Sequence, residues 1–209
     1  MRKIVGVCCI LLGICCLMAS VGLIVYNHRE EENAQSASQS ILEDIKENLQ
    51  DNDQGESIEE RSDVAVSADI SEEIPQEMLT TQVSGYDCIG VLSIPVLELE
   101  LPVLTDWSYA KLKIAPCHYF GSCYGENFVI AAHNYQSHFG RLSELHAGDL
   151  ILFTDVSGTV HCYEVILLET LPGYATEEMI ASGFDLSLYT CTSGGASRVT
   201  VRCNTFDQS

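Results

Sequence analysis

Residues 186–203, L-S-L-Y-T-C-T-S-G-G-A-S-R-V-T-V-R-C, decide the fold. Two short runs rich in β-branched and apolar residues, Ser187–Thr190 and Arg198–Cys203, flank a Ser193-Gly194-Gly195 turn. That is the pattern of neighbouring antiparallel strands. So arranged, Cys191 closes the first strand, Arg198 opens the second, and both lie at one end of a sheet. Runs of the same kind recur upstream at Ile89–Ile94, Leu97–Leu104, Asn127–Ala132, Leu150–Thr154 and Val160–Leu168. Val156-Ser157-Gly158-Thr159 reads as a hairpin turn between the last two. Helical signals are brief, at Ser108–Lys113, Phe139–Leu145 and Glu177–Ala181. Many short strands with minor helices predict an all-β domain over residues 84–209, a sandwich or a closed barrel. Periodicity alone does not choose between them.

Working toward the N-terminus, the composition changes twice. The whole chain of 209 residues has a formal charge of −20, yet 46% of it is hydrophobic. Residues 84–209 carry −9 and residues 27–83 carry −13, while residues 1–26 carry only Arg2 and Lys3. Such an acidic balance excludes most nucleic-acid binding, which needs a basic face, and excludes a polybasic hold on anionic lipid. Ile4–Tyr26 is a run of 23 uncharged residues, roughly 35 Å long as a helix and enough to cross a hydrocarbon core. The basic N-terminal flank predicts an uncleaved signal-anchor in residues 1–26, with its N-terminus cytoplasmic and the rest of the chain outside the cell. A cleaved signal peptide ending near Ser20-Val21-Gly22 is the rival reading. Residues 27–83, rich in Glu, Gln, Ser, Asp and Asn, read as an acidic, mostly disordered stalk. Within it, Ser40-Ile41-Leu42-Glu43 resembles a helix start, with Ile41, Leu42, Ile45 and Leu49 on one side.

Six cysteines fall in the exported domain: Cys88, Cys117, Cys123, Cys162, Cys191 and Cys203. Their irregular spacing does not form a disulfide framework, although Cys117 and Cys123 flank a short loop and could pair. Cys162 and Cys203 lie in strand patterns and read as small buried apolar residues. Cys117, Cys123, His133 and His138 are chemically able to build a Cys2His2 zinc site, but their C-x5-C-x9-H-x4-H spacing departs from that of zinc fingers. The sequence leads to no assigned metal or cofactor. It leaves open whether acids such as Glu98 and Glu100 bind calcium or only form a solvated face.

A sharper constellation is Cys191, His133 and Arg198. His133 follows the apolar run ending Ala131-Ala132, where the chain leaves the core. A thiol becomes a nucleophile as its thiolate. A neighbouring imidazole can take up that proton and later deliver one to a leaving amine. A guanidinium stays cationic and can hold a carbonyl or a developing oxyanion. Arg202, on the same face by strand alternation, is the fallback for that role.

At these residues the sequence resembles the sortases of Gram-positive bacteria. The likeness is carried by N-F-V-I-A-A-H-N (Asn127–Asn134), F-G-R-L-S-E-L-H-A-G-D-L-I-L (Phe139–Leu152) and Leu186–Val201, with Ile89–Pro95 similar to the family's first core strand. The family's Thr-Leu-x-Thr-Cys pattern departs here to Leu186-Ser187-Leu188-Tyr189 before Thr190-Cys191. The resemblance implies a closed β-barrel of about eight strands with short helices. It implies a membrane-anchored cysteine transpeptidase, a thiol peptidase needing no cofactor. Such an enzyme cleaves a Leu-Pro-x-Thr-Gly-like C-terminal sorting signal through a thioacyl intermediate and transfers the protein to a cell-wall amine. Its partners would be secreted proteins carrying that signal and a peptidoglycan-precursor amine. Cys191 would be the nucleophile, His133 the acid/base and Arg198 the oxyanion stabiliser, with Thr190 lining the signal-binding groove. His118, His138, His146 and His161 match no family role and read as surface or satisfied structural residues. No Asp-Pro-aromatic lid precedes the first strand, and Asp106-Trp107 lacks the proline, so the pilus-building type is not expected. A tethered binding module and a thiol hydrolase on the same barrel are the alternatives.

Overall fold

A computed structural model describes residues 2–55 and 78–206. It begins with one helix, α1 (Arg2–Gly55). Among the described residues α1 is the one helix long and apolar enough to cross a membrane. The helix does not stop where the apolar run does, because no Gly or Pro interrupts residues 23–54. The expected disordered stalk is therefore corrected for residues 27–55, which are helical. Ser40 lies inside this helix and does not open a new one. The remainder of the stalk up to residue 77 lies outside the described residues.

The polar half of α1 is held by packing. Ala34, Ser38, Ile41 and Ile45 are buried at spacings of four, three and four, a single helical stripe. Ile41 and Ile45 pack on Val83, Cys88, Val91, Leu104, Ala115 and Cys117, with Leu42 and Leu49 at the edge. Full burial of each isoleucine contributes about 1.5–3 kcal/mol. Polar contacts flank the stripe: Lys46 Nζ pairs with Glu100 at 2.6 Å, and Lys113 pairs with Glu30. The Gln136 N–H donates to Glu31 Oε1 at 2.6 Å.

The barrel follows from β1 (Thr81–Val83), β2 (Tyr86–Ile94), β3 (Leu99–Leu104), β4 (Cys117–Phe120), β5 (Phe128–Ala131), β6 (Leu150–Asp155), β7 (Val160–Pro172), β8 (Leu186–Cys191) and β9 (Ser197–Thr205). The order β2-β3-β4-β5-β8-β9-β7-β6 closes on itself through β2–β6 pairing, and β1 extends β2 as a short hairpin. This is a closed eight-stranded barrel, so the choice between sandwich and barrel falls to the barrel. Closure needs Gly90, since a Cβ there would sit 2.2 Å from the Thr154 carbonyl oxygen on β6. The core fills with Ile89, Leu92, Phe128, Ile130, Phe139, Phe153, Val165, Leu188 and Val201.

The seven expected strands all occur, while β1 and β4 are additional. α2 (Tyr109–Leu112) falls where expected, capped by the Ser108 hydroxyl, which accepts from Lys111 N–H at 3.1 Å. A 3-10 turn at Leu142–Glu144 and α3 (Thr176–Ile180) match the other two helical signals. Cys88, Cys117, Cys123, Cys162, Cys191 and Cys203 are all free. Cys117 and Cys123 therefore form no bridge. Cys203 is buried as expected, whereas Cys162 is only half-buried.

Candidate active site

Strand register brings the sequence candidates to one rim. β5 and β8 are parallel neighbours with Ala131 opposite Tyr189. The Ala132 N–H donates to the Tyr189 carbonyl at 3.2 Å. Two positions beyond that pair, the same face carries His133 on one strand and Cys191 on the other. β8 and β9 are antiparallel with Cys191 directly opposite Arg198. All three side chains are half-buried and lie on the outer face, while Phe128, Ile130, Leu186 and Leu188 point into the core.

Thr190 behaves differently from the expectation. It is buried, and its hydroxyl donates to the Ala132 carbonyl at 2.9 Å. Strand alternation turns it to the face opposite Cys191, so it does not line the groove. This hydroxyl instead stitches β8 to β5 one residue before both strands deliver His133 and Cys191.

Cys191 and Arg198 line an outer-wall cavity of about 120 Å3. Ala131, Ala132 and Tyr189 contribute to its floor, Trp107, Tyr109, Leu112 and Tyr119 to one wall, and Pro172, Gly173, Ala175, Thr176 and Met179 to the other. The aromatic wall is braced internally: Trp107 packs on Tyr109 and Tyr119 with centroids 5.8 and 5.6 Å apart, and Tyr119 meets Tyr189 edge-on at 5.4 Å. Trp107, set aside as a lid residue, is thus part of the groove. Gly173 lets the opposite wall approach, because a Cβ there would lie 3.1 Å from the Ala196 carbonyl oxygen and 3.5 Å from Arg198 Nη1.

The two arginines divide cleanly. Arg198 Nη1 donates to the carbonyls of Gly195 and Ser197 at 3.0 and 3.2 Å, which fixes its direction while its other nitrogens make no bond to the described residues. Arg202 is 1% exposed and fully committed. Its Nε donates to Glu169 at 2.8 Å, Nη1 to the Ser187 hydroxyl at 2.7 Å and the Met179 carbonyl at 3.3 Å, and Nη2 to the Glu178 carbonyl at 2.7 Å. It clamps α3 to the barrel wall and is removed as the fallback.

His133 faces a second hollow of about 330 Å3, shared with Glu30, Glu31, Lys113 and Tyr135. Its ring stacks on Tyr135 at 4.2 Å. Nδ1 lies 3.1 Å from the Asn134 N–H and 3.0 Å from Asn134 Oδ1. Asn134 therefore offers a donor to the neutral ring and an acceptor to the protonated one. Across Tyr135 sits His138, 0% exposed, whose ring nitrogens have no hydrogen-bond partner among the described residues. Burial, aided by His133, lowers His138 to about 4; the Ile114 backbone offsets this only in part, without reaching hydrogen-bond geometry. The reading of His138 as satisfied is corrected, while His118 fits it, bonded to the carbonyls of Thr105 and Gly121.

The Cys117, Cys123, His133 and His138 set is not brought together. Cys117 lies under α1, and Cys123 lies on the β4–β5 loop beside Asp155 and His161. That second cluster was not legible in the sequence, because Cys123 lies far from Asp155 and His161 in the chain and the three belong to no motif. Glu100, weighed for calcium, is paired with Lys46.

Comparison with known proteins gives a consistent family. The Sortase domain family matches residues 92–205. No curated protein matches. Among solved structures, sortase A from Corynebacterium diphtheriae is similar at 24% identity and a TM-score of 0.54, over 59% of this chain and 63% of that one. Sortase C1 from Streptococcus agalactiae is similar at 24% and 0.51, over 58% and 69%. Sortase C1 from Streptococcus suis is similar at 25% and 0.51, over 58% and 74%. The match thus spans less than two thirds of the corynebacterial chain.

Proposed function

Because the chain belongs to the sortase family, we propose that it is a membrane-anchored cysteine transpeptidase, with Cys191 as nucleophile, His133 as acid/base and Arg198 as oxyanion stabiliser. The observation that carries this reading is the register that sets Cys191 opposite Arg198 and beside β5, whose chain reaches His133 two residues after its end. Its substrates are exported proteins ending in a Leu-Pro-x-Thr-Gly-like signal, and its acceptor is a cell-wall amine. Residues 1–26 anchor it, with the N-terminus cytoplasmic and the barrel outside.

The signal peptide lies in the groove between the aromatic wall and the Gly173 wall. The Cys191 thiolate attacks the carbonyl carbon after the signal's Thr. The carbonyl oxygen gains negative charge against the Arg198 nitrogens that its own turn does not engage. Protonated His133, whose Nδ1–H is received by Asn134 Oδ1, gives its Nε2 proton to the leaving amine as the C–N bond breaks. A thioacyl enzyme and a free C-terminal fragment result. The acceptor amine then attacks the thioester, His133 takes its proton, and the Cys191 thiolate leaves.

The test uses the full-length chain in detergent with a signal peptide, with and without an added amine. Mass spectrometry is expected to find an acyl adduct on Cys191, and the amine to accelerate formation of a ligated product. Unchanged cleavage by Cys191→Ala sinks the mechanism. Hydrolysis alone with every amine tried selects the thiol hydrolase, and peptide binding without cleavage selects the binding module.

A further inference from the structure

The end of the barrel away from Cys191 carries a second cluster that peptide transfer does not use. Cys123 lies in the β4–β5 loop, Asp155 ends β6, and His161 is the second residue of β7. Their sulfur, carboxylate oxygen and imidazole nitrogen all lie within 4.8 Å of one another. Cys123 is 7% and Asp155 4% exposed. β9 runs from Arg198 at the Cys191 rim to Thr205 opposite Tyr163, so the cluster is remote from the groove.

The carboxylate is held in a fixed direction. Asp155 Oδ1 accepts from the Ser157 N–H at 2.8 Å, the Thr159 N–H at 3.1 Å and the Ser157 hydroxyl at 2.5 Å. Those bonds belong to the β6–β7 turn and leave Oδ2 facing the Tyr124 hydroxyl at 2.8 Å and His161 Nε2 at 3.1 Å. Orientation of a ligand by outer hydrogen bonds is what a metal site requires. In a tetrahedral zinc site, ligand bonds of about 2.0–2.1 Å place a nitrogen and an oxygen about 3.3 Å apart. The 3.1 Å between His161 and Asp155 is close to that separation. The Cys123 sulfur lies within 4.8 Å of both of these atoms, in reach of a third vertex. A hollow of about 460 Å3 borders two of the three groups, Cys123 and His161, together with Cys162 and Phe206.

We propose that Cys123, Asp155 and His161 form a binding site for a divalent ion of the zinc class, which clamps the β4–β5 loop to the β6–β7 hairpin. The donor set selects this class, since thiolate with imidazole suits zinc and excludes calcium or magnesium, which take oxygen. In the metal-free protein, burial and then the Asp155 charge push the Cys123 thiol up to about 12. The ion reverses that balance. Its arrival displaces the thiol proton to solvent and forms the metal–sulfur bond. The His161 hydrogen moves from Nε2 to Nδ1, so one proton is released for each ion bound.

This inference is independent of the peptide-transfer reading, and its readouts do not involve activity. The full-length chain in detergent, stripped with chelator, is titrated with Co2+ and then Zn2+. One equivalent of Co2+ is expected to give a thiolate-to-cobalt charge-transfer absorption, which zinc abolishes by displacement. Affinity is expected to fall about tenfold per pH unit lowered. Cys123→Ser removes the absorption, His161→Gln weakens binding at least ~tenfold, and Cys191→Ala leaves it intact. X-ray absorption of the zinc-loaded wild type, which needs no variant, should find one sulfur among nitrogen and oxygen neighbours. Absence of the cobalt band overturns the proposal. So does a band that survives Cys123→Ser or disappears in Cys191→Ala, or a zinc shell with no sulfur or with two.

Discussion

Each end of the barrel presents a cysteine and a histidine, in opposite circumstances. At the rim, Cys191 is half-buried in an open groove, opposite an arginine whose hydrogen bonds leave nitrogens unengaged. At the far end, Cys123 is enclosed beside a carboxylate that accepts five hydrogen bonds. Burial alone pushes Asp155 upward, but bonds from Ser157, His161, Tyr124 and Thr159 outweigh it and hold Asp155 below the ordinary carboxylate range. The same two residue types thus stand in surroundings suited to different chemistry. A thiol that must reach a peptide carbonyl needs access and a cation. A thiol beside an anion stays protonated until a stronger positive charge arrives.

The sharpest way to break this contrast is to exchange the losses. Cys191→Ala is expected to lower peptide transfer by about 10^4-fold, and Cys123→Ser to leave it within about threefold, both read by product formation on the same signal peptide. Equal losses would end the distinction. Next in size is thiol reactivity. With its thiol near 12, Cys123 has on the order of 10^−4 of its population as thiolate at pH 8. Timed alkylation followed by mass spectrometry should find it at least ~10^3-fold slower than Cys191 in metal-free protein.

The two arginines test whether the rim and the wall behind it have separate functions. Arg202→Met should cost roughly 2–4 kcal/mol of stability by denaturant unfolding, because it leaves the Glu178 and Met179 carbonyls and the Ser187 hydroxyl without their donor and unpairs the part-exposed Glu169. Arg198→Met should change stability by less than about 1 kcal/mol yet lower turnover about 10^2–10^3-fold. His138 sets a pH limit on the rim. Its folded value near 4 lies below the unfolded value of about 6.5. The unfolded chain therefore binds the extra proton between those values, and stability is complete above about 6.5 and lost as pH falls toward 4. The loss is about 3 kcal/mol, and His138→Phe should flatten that part of the pH–stability curve. The smallest expected effect is Thr190→Val, about 1 kcal/mol, with a several-fold fall in kcat at unchanged fold if its hydroxyl aligns the strand ends.

Strand content was legible because each strand carries its own composition and turn signals. β4 was not, since Cys117-His118-Tyr119-Phe120 lacks alternation, pairs in parallel with β3 at one end and carries a bulge within it. The Cys191–Arg198 pairing was legible from a short turn between adjacent runs. The proximity of His133 to Cys191 was not, because β5 and β8 pair in parallel across more than fifty residues of chain. Thr190 was misjudged for the simpler reason that adjacent residues on a strand face opposite sides. Residues 27–55 read as mostly disordered because their composition is polar, with a short helix only from Ser40; the stripe of Ala34, Ser38, Ile41 and Ile45 has stabilising value only once β3 and its neighbours provide a surface to cover.

By itself the sequence determined an apolar run able to span a membrane, a β domain with seven of its nine strands in place, and the residue types needed for thiol chemistry. These are properties of local composition and period, which short-range physics encodes. The closed barrel was already implied by the family resemblance and is what the strand pairing shows; tertiary structure alone decided which arginine keeps nitrogens unengaged by the described residues, where the acidic helix docks, and that Cys123, Asp155 and His161 meet. Each of those depends on pairing between distant segments, and a burial preference in one segment does not name the partner that satisfies it.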